Sequence, residues 1–173
     1  QAKVGMYSIL ESGTVASSSF STAFADADGI HYDDVNDVLY QLNRVDNVIK
    51  MYGTVSTNPT LIASSTSHFT NGREIAVNSD GTKLVVAEDV TNGNKFVIYD
   101  ITPTTIDFDK TLDADINLWG IHADGDRLIA IVDNSADVAI YDNFFAAPAG
   151  PIVPTMTVTV DGMVRTHGLD YDA

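Results

Sequence analysis

Cysteine is absent from this 173-residue chain, so neither disulfides nor thiolate metal sites contribute to it. Cations are scarce. Nine Lys and Arg stand against 24 Asp and Glu, a formal net charge of −15. That imbalance repels phosphate, which argues against nucleic acid and against anionic membranes as partners. It suits salty or divalent-rich media, where cations screen the self-repulsion. Long apolar runs are also missing. None approaches the ~18 residues of a membrane-spanning helix, and the apolar stretch 144–154 is broken by Pro148, Pro151 and Pro154. No membrane insertion is therefore expected. The chain opens on Gln1 without a signal-peptide pattern, which fits removal of an export signal or a fragment boundary. A surface rich in Ser, Thr, Asn and Asp and poor in Lys leans towards an extracellular, cell-surface or periplasmic location.

Catalytic signatures are lacking too. There is no G-x-S-x-G, no P-loop and no H-E-x-x-H. Asn58-Pro59-Thr60 fails as a glycosylation site because of its proline.

What the chain does contain is a repeat. Residues 29–52, 74–100 and 120–142 align on the anchors Ile30, Ile75 and Ile121, and a fourth copy begins at Gly168 with Leu169 as its anchor. The spacings are 45, 46 and 48 residues, and Met6-Tyr7 precedes Met51-Tyr52 by 45. Within each copy the pattern is strand, turn, strand, turn, strand, linker, strand. In the second copy Ile75-Ala76-Val77 leads to Asp80-Gly81, whose positive-φ preference suits a two-residue hairpin turn. A β-branched run over 83–87 follows, then an Asn/Gly turn, then a third strand over 96–99 and a fourth over 107–112. The third copy repeats this with Asp124-Gly125 and strands over 128–132, 138–141 and 156–160. A period of about 40–50 residues with four strands per unit is the signature of a propeller blade. Near-continuous apolar strands such as Leu128-Ile129-Ala130-Ile131-Val132 fit sheets covered on both faces.

One segment invites a different reading. Val35, Val38, Leu39 and Leu42 have helical spacing, with Asp33 or Asp34 as a cap. The strand reading is preferred, because 38–42 aligns with the β-branched 83–87.

The second copy, Ile75-Ala76-Val77-Asn78-Ser79-Asp80-Gly81-Thr82-Lys83-Leu84-Val85-Val86-Ala87 followed by Val97-Ile98-Tyr99-Asp100, resembles an NHL-type or YVTN/lactonase-type propeller repeat. The stretch 132–142 resembles the end of the same repeat. The resemblance implies fold and carries no single activity, since such families include lactonases, lyases, binding modules and plain scaffolds.

The expectation is an all-β protein of four-stranded antiparallel propeller blades in an incomplete ring. Residues 1–24 would end one blade, 25–70, 71–115 and 116–162 would form three, and 163–173 would start a further one. Open edges invite pairing. The expected partner is therefore the remainder of a larger propeller, a companion chain that completes the ring, or a second copy in a homo-oligomer.

Candidate site residues follow from that frame. His31 and His122 occupy equivalent inner-strand positions, and Asp170 takes that position in the last copy. Two imidazoles and a carboxylate near the axis could hold a transition metal. The competing reading is that they bond channel water or backbone. Asp33, Asp34 and Asp37, with Asn36, resemble the start of a calcium loop, although the glycine and the bidentate glutamate of an EF-hand are missing; a solvated turn is the alternative. Trp119, the single tryptophan, begins an inner strand and could stack on a sugar or pack between blades. Phe144-Phe145 fits either an exposed contact or a staple onto the neighbouring blade. The leading function is a non-catalytic structural or protein-interaction propeller. The alternatives are a lactonase- or lyase-like enzyme with a metal at the central channel, and a carbohydrate-binding module.

Overall fold

The computed structural model describes residues 3–9, 15–21, 27–57, 59–89, 94–133 and 135–161. It is all-β. Strands β1 (Lys3–Ile9) and β2 (Val15–Ser21) form an antiparallel pair. Three larger sheets follow. The first contains β3 (Ala27–Asp33), β4 (Val38–Asn43), β5 (Val48–Gly53) and β6 (Thr60–Ser64) in sequential order. The second contains β7 (Gly72–Val77), β8 (Lys83–Glu88), β9 (Asn94–Ile101) and β10 (Ile106–Ala114). The third contains β11 (Leu118–Asp124), β12 (Arg127–Val132), β13 (Asp137–Tyr141) and, beyond an excursion, β15 (Met156–Thr159). In that excursion β14 (Gly150–Ile152) pairs parallel with β10, so the second sheet has a fifth strand.

Alternation along the strands explains how the sheets stack. In β8, Leu84 and Val86 join Tyr40, Leu42, Ile49 and Met51 of the first sheet in one core cluster. Their neighbours Val85 and Ala87 join Leu128, Ala130 and Tyr141 of the third sheet in another. Successive side chains point to opposite faces, so a sheet covered on both sides needs an unbroken apolar strand. Each fully buried Val, Leu, Ile or Phe contributes about 1.5–3 kcal/mol. The inner strands β3, β7 and β11 lie side by side. A Cβ on Gly29 would sit 3.1 Å from both the Glu74 Cα and the Ile75 backbone nitrogen, so glycine permits that approach.

The helical spacing around 34–42 yields to sheet pairing. Residues 34–37 form a turn. Asp33 Oδ1 accepts the Val35 and Asn36 amides as a cap would, but Asp37 takes φ 53°, a left-handed conformation that ends any helix. The amides beyond it enter the ladder with β5. The two Asp-Gly turns differ. In the third sheet Asp124 pairs with Arg127 across a two-residue turn, with Gly125 at φ 57°. In the second the turn is longer, because Asn78 Oδ1 accepts the Thr82 and Lys83 amides and holds a wider loop.

Phe144 and Phe145 are buried. Phe144 meets Phe96 of the second sheet edge-on, with ring centroids 5.0 Å apart. Lys110 Nζ donates to the Phe145 carbonyl at 2.6 Å. The pair is thus a staple, and together with β14 it straps the third sheet to the second.

Candidate functional site

The inner strands share an irregularity. Against β4, residue 28 is the extra residue between the pairs Ala27–Asn43 and Gly29–Leu42. Against β8, residue 73 is extra between Gly72–Glu88 and Glu74–Ala87. Against β12, the register slips between Leu118 and Ile121, which places Trp119 in the same bulge. A bulge re-aims the side chain it carries and is over-represented beside functional sites. The repeat therefore delivers Asp28, Arg73 and Trp119, one residue from each of three consecutive blades, to one cavity. Arg44 and Glu74 complete its lining, and its volume is about 230 Å³.

The charges in this cavity are matched. Arg44 Nη1 lies 3.1 Å from Asp28 Oδ2. Arg73 Nη2 donates to Asp89 Oδ2 at 2.8 Å, with its Nε at 3.2 Å. These are the same ion pair in successive blades with the charges exchanged. The Arg73 guanidinium carbon lies 5.6 Å from the centre of the Trp119 ring, a cation–π contact. Glu74 Oε1 accepts the Ile75 amide at 3.2 Å. Burial pushes the Glu74 carboxyl up to about 7 against that amide, and the Asp28 carboxylate adds to the rise.

The other expected residues lie elsewhere. His31 faces Tyr40 across β3 and β4, with ring centroids 6.5 Å apart, on the side that packs against the second sheet. His122 is opposite Ile129 in the third sheet. Ala76, their counterpart in the second sheet, belongs to the core shared with the third. The equivalent positions thus point along the stack, each from its own blade. Asp170 lies outside the described residues. Among the described residues no group of three His, Asp or Glu side chains is arranged to hold a metal ion.

The acidic turn is braced internally. Asp33 Oδ2 accepts the Asn36 side-chain amide at 2.7 Å. Asp37 accepts the Ser56 hydroxyl at 2.7 Å, the Ser56 amide at 2.9 Å and the Tyr32 hydroxyl at 2.9 Å. The Ser56 hydroxyl chiefly holds the Asp37 carboxyl below its usual value. Asp34 is exposed on the same turn. Beside this turn, between the first two sheets, a second cavity of about 480 Å³ is walled by Met51, Ile62 and Ile101 and edged by Asp33 and Asp80.

Of the first cavity's lining, the sequence pointed to Trp119 alone. Asp28, Arg44, Arg73 and Glu74 went unnoticed. The available signal was their place in the repeat: residues 28, 73 and 119 each stand two before an anchor isoleucine.

No family model matches the chain, and no curated protein matches it. Solved structures do. A functionally unknown protein from Desulfotomaculum acetoxidans DSM 771 is 16% identical, with a TM-score of 0.57, over 79% of this chain and 46% of that one. KlHsv2 with loop 6CD replaced by a Gly-Ser linker is 7% identical, with a TM-score of 0.57, over 90% and 47%. A chain of a nidogen/laminin complex is 13% identical, with a TM-score of 0.56, over 88% and 55%. The chain spans about half the length of these structures. At such identities the likeness is one of fold: the chain is all-β, and its sheets are consistent with blades of a β-propeller-like architecture.

Proposed function

We propose that the chain is a sector of a β-propeller that serves as a non-catalytic interaction scaffold in an exported or cell-surface assembly. Its remaining neighbours are further blades of the same ring or a companion chain. The observation that carries this reading is the contrast between buried middle strands and apolar side chains left exposed on the strands at the sheet edges. Leu84 to Ala87 and Phe96 to Tyr99 of the second sheet are all at most 1% exposed. On the third sheet Met156 and Val158 are 52% and 41% exposed, and on the first Ile30 and Leu61 are each 53% exposed. Apolar side chains left exposed on the sheets at both ends of the stack suit contact with further chain. The low Lys and Arg content, nine against 24 Asp and Glu, supports an extracytoplasmic setting.

Light scattering with circular dichroism on the same sample tests the reading. A β-rich species heavier than one chain is expected, reduced to one chain by Val158→Asp. A folded, monodisperse single chain that binds no other would contradict it.

A further inference from the structure

We propose that the cavity formed by Asp28, Arg44, Arg73, Glu74 and Trp119 is a binding site for one ring of a neutral, hydroxyl-rich ligand, a sugar residue. The site is built rather than incidental. The same bulge recurs in three inner strands, and each bulge presents a different chemistry to one space: a carboxylate, a guanidinium and an indole. A volume of about 230 Å³ falls below the roughly 300–1,000 Å³ of pockets that take drug-sized molecules. It suits a single ring.

The lining selects the chemical class by elimination. An anion would need an uncommitted guanidinium, and both are already paired, Arg44 with Asp28 and Arg73 with Asp89. A cation would face those same two guanidiniums. An apolar ligand would desolvate charges and return nothing, at a cost of several kcal/mol. A polyol loses least. Guanidinium N–H groups donate to its hydroxyl oxygens, and carboxylates accept its hydroxyl protons. The indole supplies an amphipathic wall for the C–H face of a ring. Paired charges also hold their side chains in place, so less ordering remains to be done on binding.

The site carries its own probe, because Trp119 is the only tryptophan in the chain. Its emission would be followed on the species whose mass light scattering defines. The titrants are glucose, galactose, mannose, N-acetylglucosamine and myo-inositol, with glucuronate and choline as charged comparators. The expected result is a saturable emission change with at least one neutral ligand, and Arg44→Gln should weaken it about tenfold. Arg44 is half exposed, so that variant is expected to fold. Saturation-transfer NMR would follow Trp119→Ala, where the signal should vanish while Trp119→Phe keeps part of it. No saturable response to any neutral ligand would overturn the proposal. So would tighter binding of glucuronate or choline, or binding that Arg44→Gln and Trp119→Ala leave unchanged. The emission response is independent of the chain's oligomeric state, so its failure is distinguishable from failure of the scaffold reading.

Discussion

The second and third sheets have the same strand order but different surroundings, and their sequences show it. The second is sandwiched. Its strands β8 and β9 are buried on both faces, and β14 covers part of its outer edge. The third shares one face with the second and leaves Met156 and Val158 of its outer strand, and Val160 just beyond it, between 41% and 52% exposed. Apolar composition alone does not distinguish them. What differs is how far the cover reaches, since the exposed apolar side chains of the third sheet lie along its outer strand. A strand that is apolar on both faces is a request for two neighbours; Ile129 and Ile131, on the face of β12 turned away from the second sheet, are only 9% and 3% exposed, so the opening in the third sheet lies at its outer strand.

Four substitutions would break or sharpen this contrast. The largest effect is expected at Phe96, fully buried between the second and third sheets and in edge contact with Tyr141 and Phe144. Phe96→Ala should cost about 3–5 kcal/mol, read as a lower denaturant midpoint. A loss below 1 kcal/mol would mean the two sheets do not share a core.

Next comes Glu74, held where the first, second and third sheets meet. Its folded-state value of about 7 lies above the 4.5 of an unperturbed carboxyl, so the folded protein keeps the proton after the unfolded chain has lost it. Stability should be full below about 4.5 and fall as pH rises to about 7, by up to roughly 3 kcal/mol. Glu74→Gln should flatten that part of the pH–stability curve. An unchanged slope in the variant would assign it to another group.

A smaller effect is expected at the approach of the inner strands. In Gly29→Ala the new Cβ would lie 2.9 Å from Glu74 Oε1 and 3.1 Å from backbone atoms of the neighbouring strand. The loss should be about 1–3 kcal/mol in thermal or denaturant unfolding, and a neutral result would show that β3 and β7 are looser than described. The smallest effect belongs to the exposed outer strand of the third sheet. Val158→Ala should change the stability of the single chain by no more than about 0.5 kcal/mol, in contrast with Phe96. A cost near that of Phe96→Ala would mean the strand is covered.

Much of the fold was legible because it repeats. The anchors Ile30, Ile75 and Ile121 set the frame, and the β-branched Val85-Val86 marks the strand that its helical-looking counterpart at 38–42 shares. The fifth strand was not legible. Gly150–Ile152 is three residues long with Pro151 at its centre, and its pairing with β10 is held by backbone groups and by burial of Phe144 and Phe145, neither of which leaves a period in the sequence. The cavity was hidden for a related reason. A bulge is a feature of register, and register is a property of two strands. Arg73 and Asp28 therefore read as ordinary surface charges until their partners β8 and β4 are placed beside them. His31 and His122 occupy matching positions, but matching positions in stacked blades point along the stack, and correspondence in the repeat does not bring side chains together.

Native-state hydrogen exchange resolved by residue tests the central contrast most directly, because protection follows local burial and cooperative opening. The account predicts the slowest exchange at Val85, Val86, Val97 and Ile98 of the second sheet. It predicts intermediate exchange in β4 and β12, and the fastest in β6 and β15. Measured on the single-chain species that Val158→Asp leaves, protection at Thr157 equal to that at Val86 would contradict it, since the outer strand of the third sheet would then be as fully covered as the middle of the stack.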